Sequence, residues 1–114
     1  MSKRSVLLLL QDIQEAIQNI LDYTQDLSFE DFLDDSKTKD AVVRNFEIIG
    51  EASNKLPKDF LEKNKNIDWS GIVGFRNILV HDYFGIDYEI LWKIKVDSFP
   101  VLESELNLLL KKLQ

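Results

Sequence analysis

Four side chains within residues 75–85 could carry out chemistry on a phosphate group. They are Arg76, Asn77, His81 and Tyr83. Histidine titrates near neutral pH and can transfer a proton, while the arginine guanidinium matches phosphate oxygens and stabilises the extra charge of a pentavalent phosphorus. An asparagine amide can orient either group. Because RNA supplies its own nucleophile, the 2′-hydroxyl, these side chains predict metal-independent RNA cleavage better than acyl or hydride transfer.

The spacing of these residues limits how they can meet. Arg76 and Tyr83 are seven residues apart, so they share a helix face if the helix continues that far. Arg76 and His81 are five residues apart and lie about 140° from each other around an ideal helix. They can converge on one ligand only if the helix end distorts or if a second copy of the chain supplies the other half. The spacing therefore favours a symmetric dimer with two motifs facing each other across a twofold axis.

A purely structural role is the alternative for the same residues, because an Arg-x4-His pair occurs by chance in many helices. Arg76 would then pair with a carboxylate and His81 would lie at the surface. In this alternative Tyr83 and Phe84 fill the end of the bundle. The nearby aromatic side chains could stack RNA bases, but such a stripe at helical spacing favours the core or a dimer interface. The stripe comprises Tyr83, Phe84, Tyr88 and Trp92.

The composition excludes several other kinds of site. The chain has 114 residues, no cysteine and one histidine. A disulfide scaffold, a thiolate zinc site and a cysteine nucleophile are therefore impossible, and a cage of His and Cys ligands within one chain is not expected. We predict neither a metal nor a cofactor. The length predicts a single domain spanning residues 1–114.

The charge and hydropathy patterns bear on partners and location. Twenty Asp and Glu against 14 Lys and Arg give a formal net charge of −6, which argues at first sight against a nucleic-acid partner. An acidic run at residues 30–40 is expected at the same pole of the molecule as the motif. Lys3 and Arg4 precede an apolar stretch at residues 7–10, but polar side chains interrupt it at once and no run reaches membrane-spanning length. We predict a cytoplasmic chain with no membrane partner.

The apolar residues recur at helical spacing along the whole chain. In the first predicted helix the steps alternate between four and three, with Thr24 in one apolar slot and Leu27 as the last apolar position. Ser28 is predicted to cap a short turn. A second helix is predicted at residues 36–56 and a connector helix at 57–63. Gly50 in the middle of the second helix costs about 1 kcal/mol relative to alanine, so we expect another helix to approach closely there.

Capping residues mark the second half of the chain. Asp68 is predicted to cap a third helix at residues 69–82, and Gly85 to end it. Asp87 is predicted to cap a fourth helix, which Pro100 should kink or break before the four-three pattern resumes up to Leu113. Together these elements predict an all-α fold, an antiparallel four-helix bundle with short connector helices. Within the second helix, helical spacing favours pairing of Glu47 and Glu51 with Arg44 and Lys55.

The motif also resembles that of a known family. Arg76, His81 and Tyr83 spell the R-x4-H-x-Y motif of the HepT-like ribonuclease toxins in the HEPN superfamily. Residues 41–52 are similar to the second-helix block of that family. Trp69 and residues 72–77 and 81–87 are similar to its third-helix block and the turn after it. The resemblance covers almost the whole chain, and no motif position departs from it.

The resemblance implies an HEPN-like fold and the toxin of a type VII-like toxin–antitoxin pair. It implies that Arg76 and His81 form the catalytic pair of an endoribonuclease in a homodimer groove, supported by Asn77. It also implies that a minimal nucleotidyltransferase antitoxin attaches AMP to Tyr83, so that a bulky anion beside Arg76 blocks the phosphate site. RNA, the antitoxin and a second copy are the implied partners. The alternatives are a non-catalytic HEPN helical module that binds a nucleotide or the nucleotidyltransferase, and a structural dimerisation domain.

Overall fold

The computed structural model describes residues 5–113, and within that range every regular element is a helix. The α-helices are α1 (Val6–Tyr23), α2 (Phe29–Leu33), α3 (Ser36–Asn54), α4 (Lys58–Lys63), α5 (Trp69–His81), α6 (Tyr88–Lys93) and α7 (Phe99–Leu113). A 3-10 turn (Tyr83–Gly85) follows α5, and a π-helical turn (Ile94–Ser98) joins α6 to α7. The predicted all-α bundle with short connectors is confirmed. Lys3 and Arg4 lie outside the described residues.

The core lies between α1, α3 and the long α6–α7 segment. The most fully buried large side chains are Leu10, Ile13, Ile17, Ile20, Phe32, Leu79, Leu91, Phe99 and Leu106. Phe46 of α3 connects three elements, because its ring stacks on Phe99 at 5.4 Å between centroids and meets Phe75 of α5 edge-on at 5.6 Å. Aromatic pairs at such distances add to the hydrophobic stabilisation of the core.

Local capping bonds place the helix starts where the sequence predicts them. Ser28 forms a reciprocal capping box with Asp31 at the start of α2. Asp68 accepts a hydrogen bond from the backbone N–H of Gly71, and Asp87 accepts one from that of Glu89. Each cap satisfies backbone donors that would otherwise lack a partner at the helix start. The caps therefore fix where α5, which carries the motif, begins.

Three helices end earlier than predicted, and one of them, α3, does so by only two residues, at Asn54 rather than at residue 56. α1 ends at Tyr23 rather than continuing to Leu27, because Asp26 adopts a positive φ of 63°, which a helix cannot contain. The hydroxyl of Thr24 donates to the carbonyl of Ile20 and closes this end. α5 ends at His81, so Tyr83 does not lie on the same continuous helix face as Arg76.

Pro100 does not break the fourth helix. The disturbance lies one turn earlier, at the π-helical turn Ile94–Ser98, where the Phe99 N–H bonds to the carbonyl of Ile94, five residues back. Proline has no N–H and its ring crowds the carbonyl four residues before it. A wider turn at that point accommodates the proline and lets the helix continue into α7.

α5 packs mainly against α3, and Gly50 is the point of closest approach. A Cβ atom added at Gly50 would lie 2.1 Å from the Cβ and 2.6 Å from the Cγ of Arg76. On its other side α5 diverges from α7 and leaves a cleft of about 500 Å³, lined by residues that include Ile72 and Leu102. The close helix approach predicted at Gly50 is confirmed, and its partner is the arginine of the motif.

No helix within residues 5–113 combines the length and the apolar character that crossing a membrane would require.

Gly50→Ala is expected to destabilise the folded chain by about 1–3 kcal/mol, because the new methyl group overlaps the stem of Arg76. Gly74→Ala is the matched control: this glycine lies in α5, and an added Cβ meets no atom within 4 Å. The unfolding free energy of that variant should rise by about 0.5–1 kcal/mol, because alanine lowers the backbone entropy of the unfolded chain. Urea unfolding followed by circular dichroism measures both. Equal stability of the two variants would contradict the close contact.

Candidate active site

Arg76 is held between α5 and α3. Its stem lies on Gly50, and one terminal nitrogen donates a 2.9 Å hydrogen bond to the side-chain oxygen of Asn77. The other terminal nitrogen lies 3.9 Å from a carboxylate oxygen of Glu51 on α3. The Nε atom is buried and has no hydrogen-bond partner among the described residues. The structure thus brings two predicted site residues, Arg76 and Asn77, into direct contact.

His81 is the last residue of α5 and is exposed to solvent. Within residues 5–113 its imidazole forms no hydrogen bond or ion pair that would fix one ring orientation. Arg76 lies five residues before His81 on α5, so the two side chains point about 140° apart around the helix. One chain therefore presents the arginine and the histidine as separate groups.

Tyr83 lies on the 3-10 turn after α5, and its hydroxyl donates a hydrogen bond to the carboxylate of Asp40 on α3. This bond raises the pKa of Tyr83 to about 12, with smaller contributions from burial and from the charges of Asp40, Tyr88 and Glu47. The phenol remains protonated because its anion would face the negative charge of Asp40. The tyrosine is thus tied to α3 at the opposite end of the motif from Arg76.

Four charged residues on one face of α3 run alongside the motif, and we call them the α3 ridge. The ridge consists of Asp40, Arg44, Glu47 and Glu51, at steps of four, three and four residues. Arg44 pairs with Glu47 at 3.2 Å and with Glu51 at 3.4 Å. The predicted pairing of both glutamates with Arg44 is confirmed, whereas the ion pairs among the described residues do not include Lys55.

Sequence reasoning missed the roles of two ridge residues. Glu51 faces the guanidinium of Arg76, and Asp40 accepts the hydroxyl of Tyr83. The available signal was the helical spacing of the ridge, which places its members on one face of α3. That spacing alone does not identify the opposing helix or the register in which it packs.

The aromatic stripe divides between the core and the surface. Tyr88 and Trp92 pack against the buried ring of Phe32, at 6.0 and 5.1 Å between centroids. Phe84 is fully exposed, and Tyr83 is 41% exposed and meets it edge-on. The alternative in which Tyr83 and Phe84 fill the end of the bundle is therefore wrong. Exposed apolar side chains also occur beside His81 on α5, namely Ile78 and Val80.

The arrangement supplies a guanidinium that is suited to binding phosphate, an amide in contact with it, an imidazole and an exposed tyrosine. Within the part of the chain that the structure describes, no three His, Cys, Asp or Glu side chains are arranged to hold a metal ion.

Comparison with known proteins places the chain in a family. The model of the family described as ribonuclease HepT-like matches residues 13–109. The chain belongs to the HepT-like ribonuclease family. The family predicted from Arg76, His81 and Tyr83 is thereby confirmed.

Three relatives match this HepT-like chain over nine-tenths or more of its length and of their own. "Probable ribonuclease HepT" of Thermococcus cleftensis is 44% identical over 109 residues, which cover 96% of this chain and 99% of the relative. "Putative RNase MJ1380" of Methanocaldococcus jannaschii is 44% identical over 108 residues, which cover 95% of this chain and 99% of the relative. "Putative RNase TTE0752" of Caldanaerobacter subterraneus is 39% identical over 103 residues, which cover 90% of this chain and 92% of the relative. No solved structure matches the HepT-like chain.

The hydrogen bond between Tyr83 and Asp40 predicts a pH dependence of stability. Because the folded-state pKa of about 12 exceeds the ordinary tyrosine value of about 10, the bond stabilises the fold in full below pH 10. This contribution is lost as the pH rises through 12. The difference in unfolding free energy between wild type and Tyr83→Phe should therefore shrink between pH 10 and 12, as measured by urea unfolding.

Tyr23→Phe is the control for this measurement, because the hydroxyl of Tyr23 forms no hydrogen bond among the described residues and its side chain is similarly exposed, at 44%. The difference in unfolding free energy between wild type and Tyr23→Phe should not shrink between pH 10 and 12. A difference for Tyr83→Phe that stays constant up to pH 12 would show that the bond to Asp40 does not form in solution.

Proposed function

We propose that this HepT-like chain is the toxin of a toxin–antitoxin pair and a metal-independent endoribonuclease that acts at a homodimer groove. The observation that carries the proposal is the contact between Arg76 and Asn77 near the end of α5, together with the exposed His81 that ends the same helix. Family membership supplies the substrate class, since the matching model describes ribonucleases.

In the proposed reaction the 2′-hydroxyl of RNA attacks the neighbouring phosphorus. His81 transfers the proton of the 2′-hydroxyl or of the leaving 5′-oxygen. Arg76 stabilises the additional negative charge of the phosphorane, and Asn77 orients the guanidinium. The products are a 2′,3′-cyclic phosphate and a 5′-hydroxyl, because the attacking oxygen remains bonded to phosphorus and the 5′-oxygen leaves.

The proposed groove forms between two copies of the chain. Arg76 packs towards α3, whereas His81 lies exposed at the end of α5. A second copy can supply the missing member of each pair. Support comes from apolar side chains exposed beside His81, where they would be buried by a partner: Ile78 is 55% exposed and Phe84 fully exposed. Closed twofold symmetry would place two identical sites across this surface.

The proposed control is the transfer of AMP to Tyr83 by a minimal nucleotidyltransferase antitoxin. Tyr83 lies on an exposed turn two residues after His81, where a second protein can reach its hydroxyl. An adenylate there would place a bulky anion beside the groove. It would hinder RNA sterically and repel its phosphates.

A non-catalytic module that binds a nucleotide or the nucleotidyltransferase is the second candidate. It is favoured by the α3 ridge, whose three carboxylates beside the motif suit a basic protein surface better than RNA. The two candidates differ in whether His81 and Arg76 are needed for RNA cleavage.

His81→Ala is expected to lower the rate of RNA cleavage by about 10²–10⁴-fold, the usual effect of losing a general acid or base. Arg76→Ala should lower it by about 10²–10³-fold, because the charge of the phosphorane loses its counterion. Cleavage of a labelled RNA by the full chain measures both, and end-group analysis identifies the products. Wild-type activity should persist in the presence of EDTA.

Lys93→Ala is the control, because it removes an exposed cation at the end of α6 that forms no ion pair among the described residues. It should cleave RNA at close to the wild-type rate. If wild type cleaves no RNA, the non-catalytic module is the better assignment. If the His81 and Arg76 variants cleave as well as wild type, these two residues are not the catalytic pair.

The dimer is tested by placing a charge on the proposed interface. Ile78→Asp should raise the dimer dissociation constant by at least about 100-fold, because burying an unpaired carboxylate costs about 3–5 kcal/mol. Leu108→Asp is the control, since Leu108 on α7 is equally exposed, at 55%, and lies away from the motif. Light scattering after size-exclusion chromatography measures both. A monomeric wild type, or dissociation by the Leu108 variant alone, would contradict this interface.

A further inference from the structure

The hydroxyl of Tyr83 has a defined proton acceptor, which the motif itself does not include. Asp40 and Tyr83 are 43 residues apart in sequence and lie on different elements, yet the phenolic oxygen donates directly to the Asp40 carboxylate. Asp40 forms no ion pair with a cation among the described residues. The neighbouring Lys39 is directed elsewhere, with its ammonium group 5.1 Å from the centre of the Tyr88 ring.

The charges around Tyr83 oppose its ionisation. Asp40 and Glu47 of α3 and the phenol of Tyr88 all raise the pKa of Tyr83, to about 12. At pH 7 the phenolate is therefore a very minor form of Tyr83. An electrophile that reacts with Tyr83 therefore meets a protonated hydroxyl, which must lose its proton during the attack rather than before it.

We propose that Asp40 is the general base for nucleotidyl transfer to Tyr83. This inference rests on the proposed AMP transfer and adds the residue of this chain that makes its own tyrosine reactive. In kinases an aspartate likewise accepts the proton of a hydroxyl that attacks a phosphoryl group. Here the acceptor already contacts the nucleophilic oxygen in the unmodified chain.

The step balances as a phosphoryl substitution. The phenolic oxygen of Tyr83 forms a bond to the α-phosphorus of ATP, which the nucleotidyltransferase binds. The bond from that phosphorus to the oxygen bridging to the β-phosphate breaks, and pyrophosphate leaves with the electron pair. The phenolic proton passes to the Asp40 carboxylate and then to solvent. The product has no proton to donate to Asp40, and its phosphodiester anion is repelled by the carboxylate.

The test compares Asp40→Asn with Glu47→Gln in the full chain. Each variant is incubated with ATP, Mg²⁺ and the proposed minimal nucleotidyltransferase antitoxin, and intact-mass measurement follows AMP incorporation. Asp40→Asn should lower the initial rate by about 10²-fold or more, because the asparagine amide accepts a hydrogen bond but not the proton. Glu47→Gln, which removes a nearby carboxylate that does not bond to Tyr83, should retain most of the rate. Tyr83→Phe should gain no AMP.

The pH profile separates a base from a structural contact. The wild-type rate should be nearly constant between pH 7 and 9, since Asp40 accepts the proton throughout. The Asp40→Asn rate should rise by about tenfold per pH unit, because only the rare phenolate can then attack. A slow variant with the wild-type profile would assign Asp40 a structural role and overturn the proposal, as would equal rates at every pH.

A second measurement tests the contact without the antitoxin. Asp40→Asn should lower the pKa of Tyr83 from about 12 towards the ordinary value of about 10, as observed by tyrosinate absorbance with Tyr83→Phe subtracted. An unchanged titration would refute the contact and the role of Asp40. If the titration shifts but wild type gains no AMP, the proposed AMP control is wrong and the role of Asp40 falls with it. If wild type is modified and Asp40→Asn is modified equally fast, only the role of Asp40 is wrong.

Discussion

The contact between Gly50 and Arg76 is the constraint on which the candidate site depends. Because residue 50 has no side chain, the backbone of α3 approaches the Cβ and Cγ atoms of Arg76 more closely than any other residue would allow. α5 diverges from α7 on its other side, so its position is set mainly by this approach to α3. The same approach brings Glu51 to the guanidinium. Helix packing and the electrostatics of the motif are therefore determined at one point.

The α3 ridge holds two members of the motif and leaves the third unattached. Arg76 meets Glu51 near one end of the ridge, and Tyr83 meets Asp40 at the other. His81 lies between them in sequence but forms no hydrogen bond or ion pair within residues 5–113. Contacts within one chain thus orient the arginine and the tyrosine. A group that orients the imidazole of His81 would have to come from a molecule bound beside it.

The sequence predicted what depends on local bonds and missed what depends on packing. The caps at Ser28, Asp68 and Asp87 could be found because each side chain satisfies backbone donors only two or three residues away. The left-handed Asp26 that ends α1 has no comparable signal. The roles of Asp40 and Glu51 depend on contacts with residues 43 and 25 positions later in the chain. Their spacing marks one face of α3 but not the register in which α5 crosses it.

The acidity of the chain is less of an obstacle to RNA than its net charge suggests. Each carboxylate of the α3 ridge already has a partner within the chain. Glu47 and Glu51 both pair with Arg44, and Asp40 accepts a hydrogen bond from the hydroxyl of Tyr83. The remaining attraction of Glu51 for Arg76 acts over 3.9 Å between partly exposed groups, and such pairs contribute at most about 1 kcal/mol. A phosphate can accept two parallel bonds from a guanidinium at shorter distance, which makes it the stronger partner. Glu51 therefore positions the arginine while leaving it available to an anion.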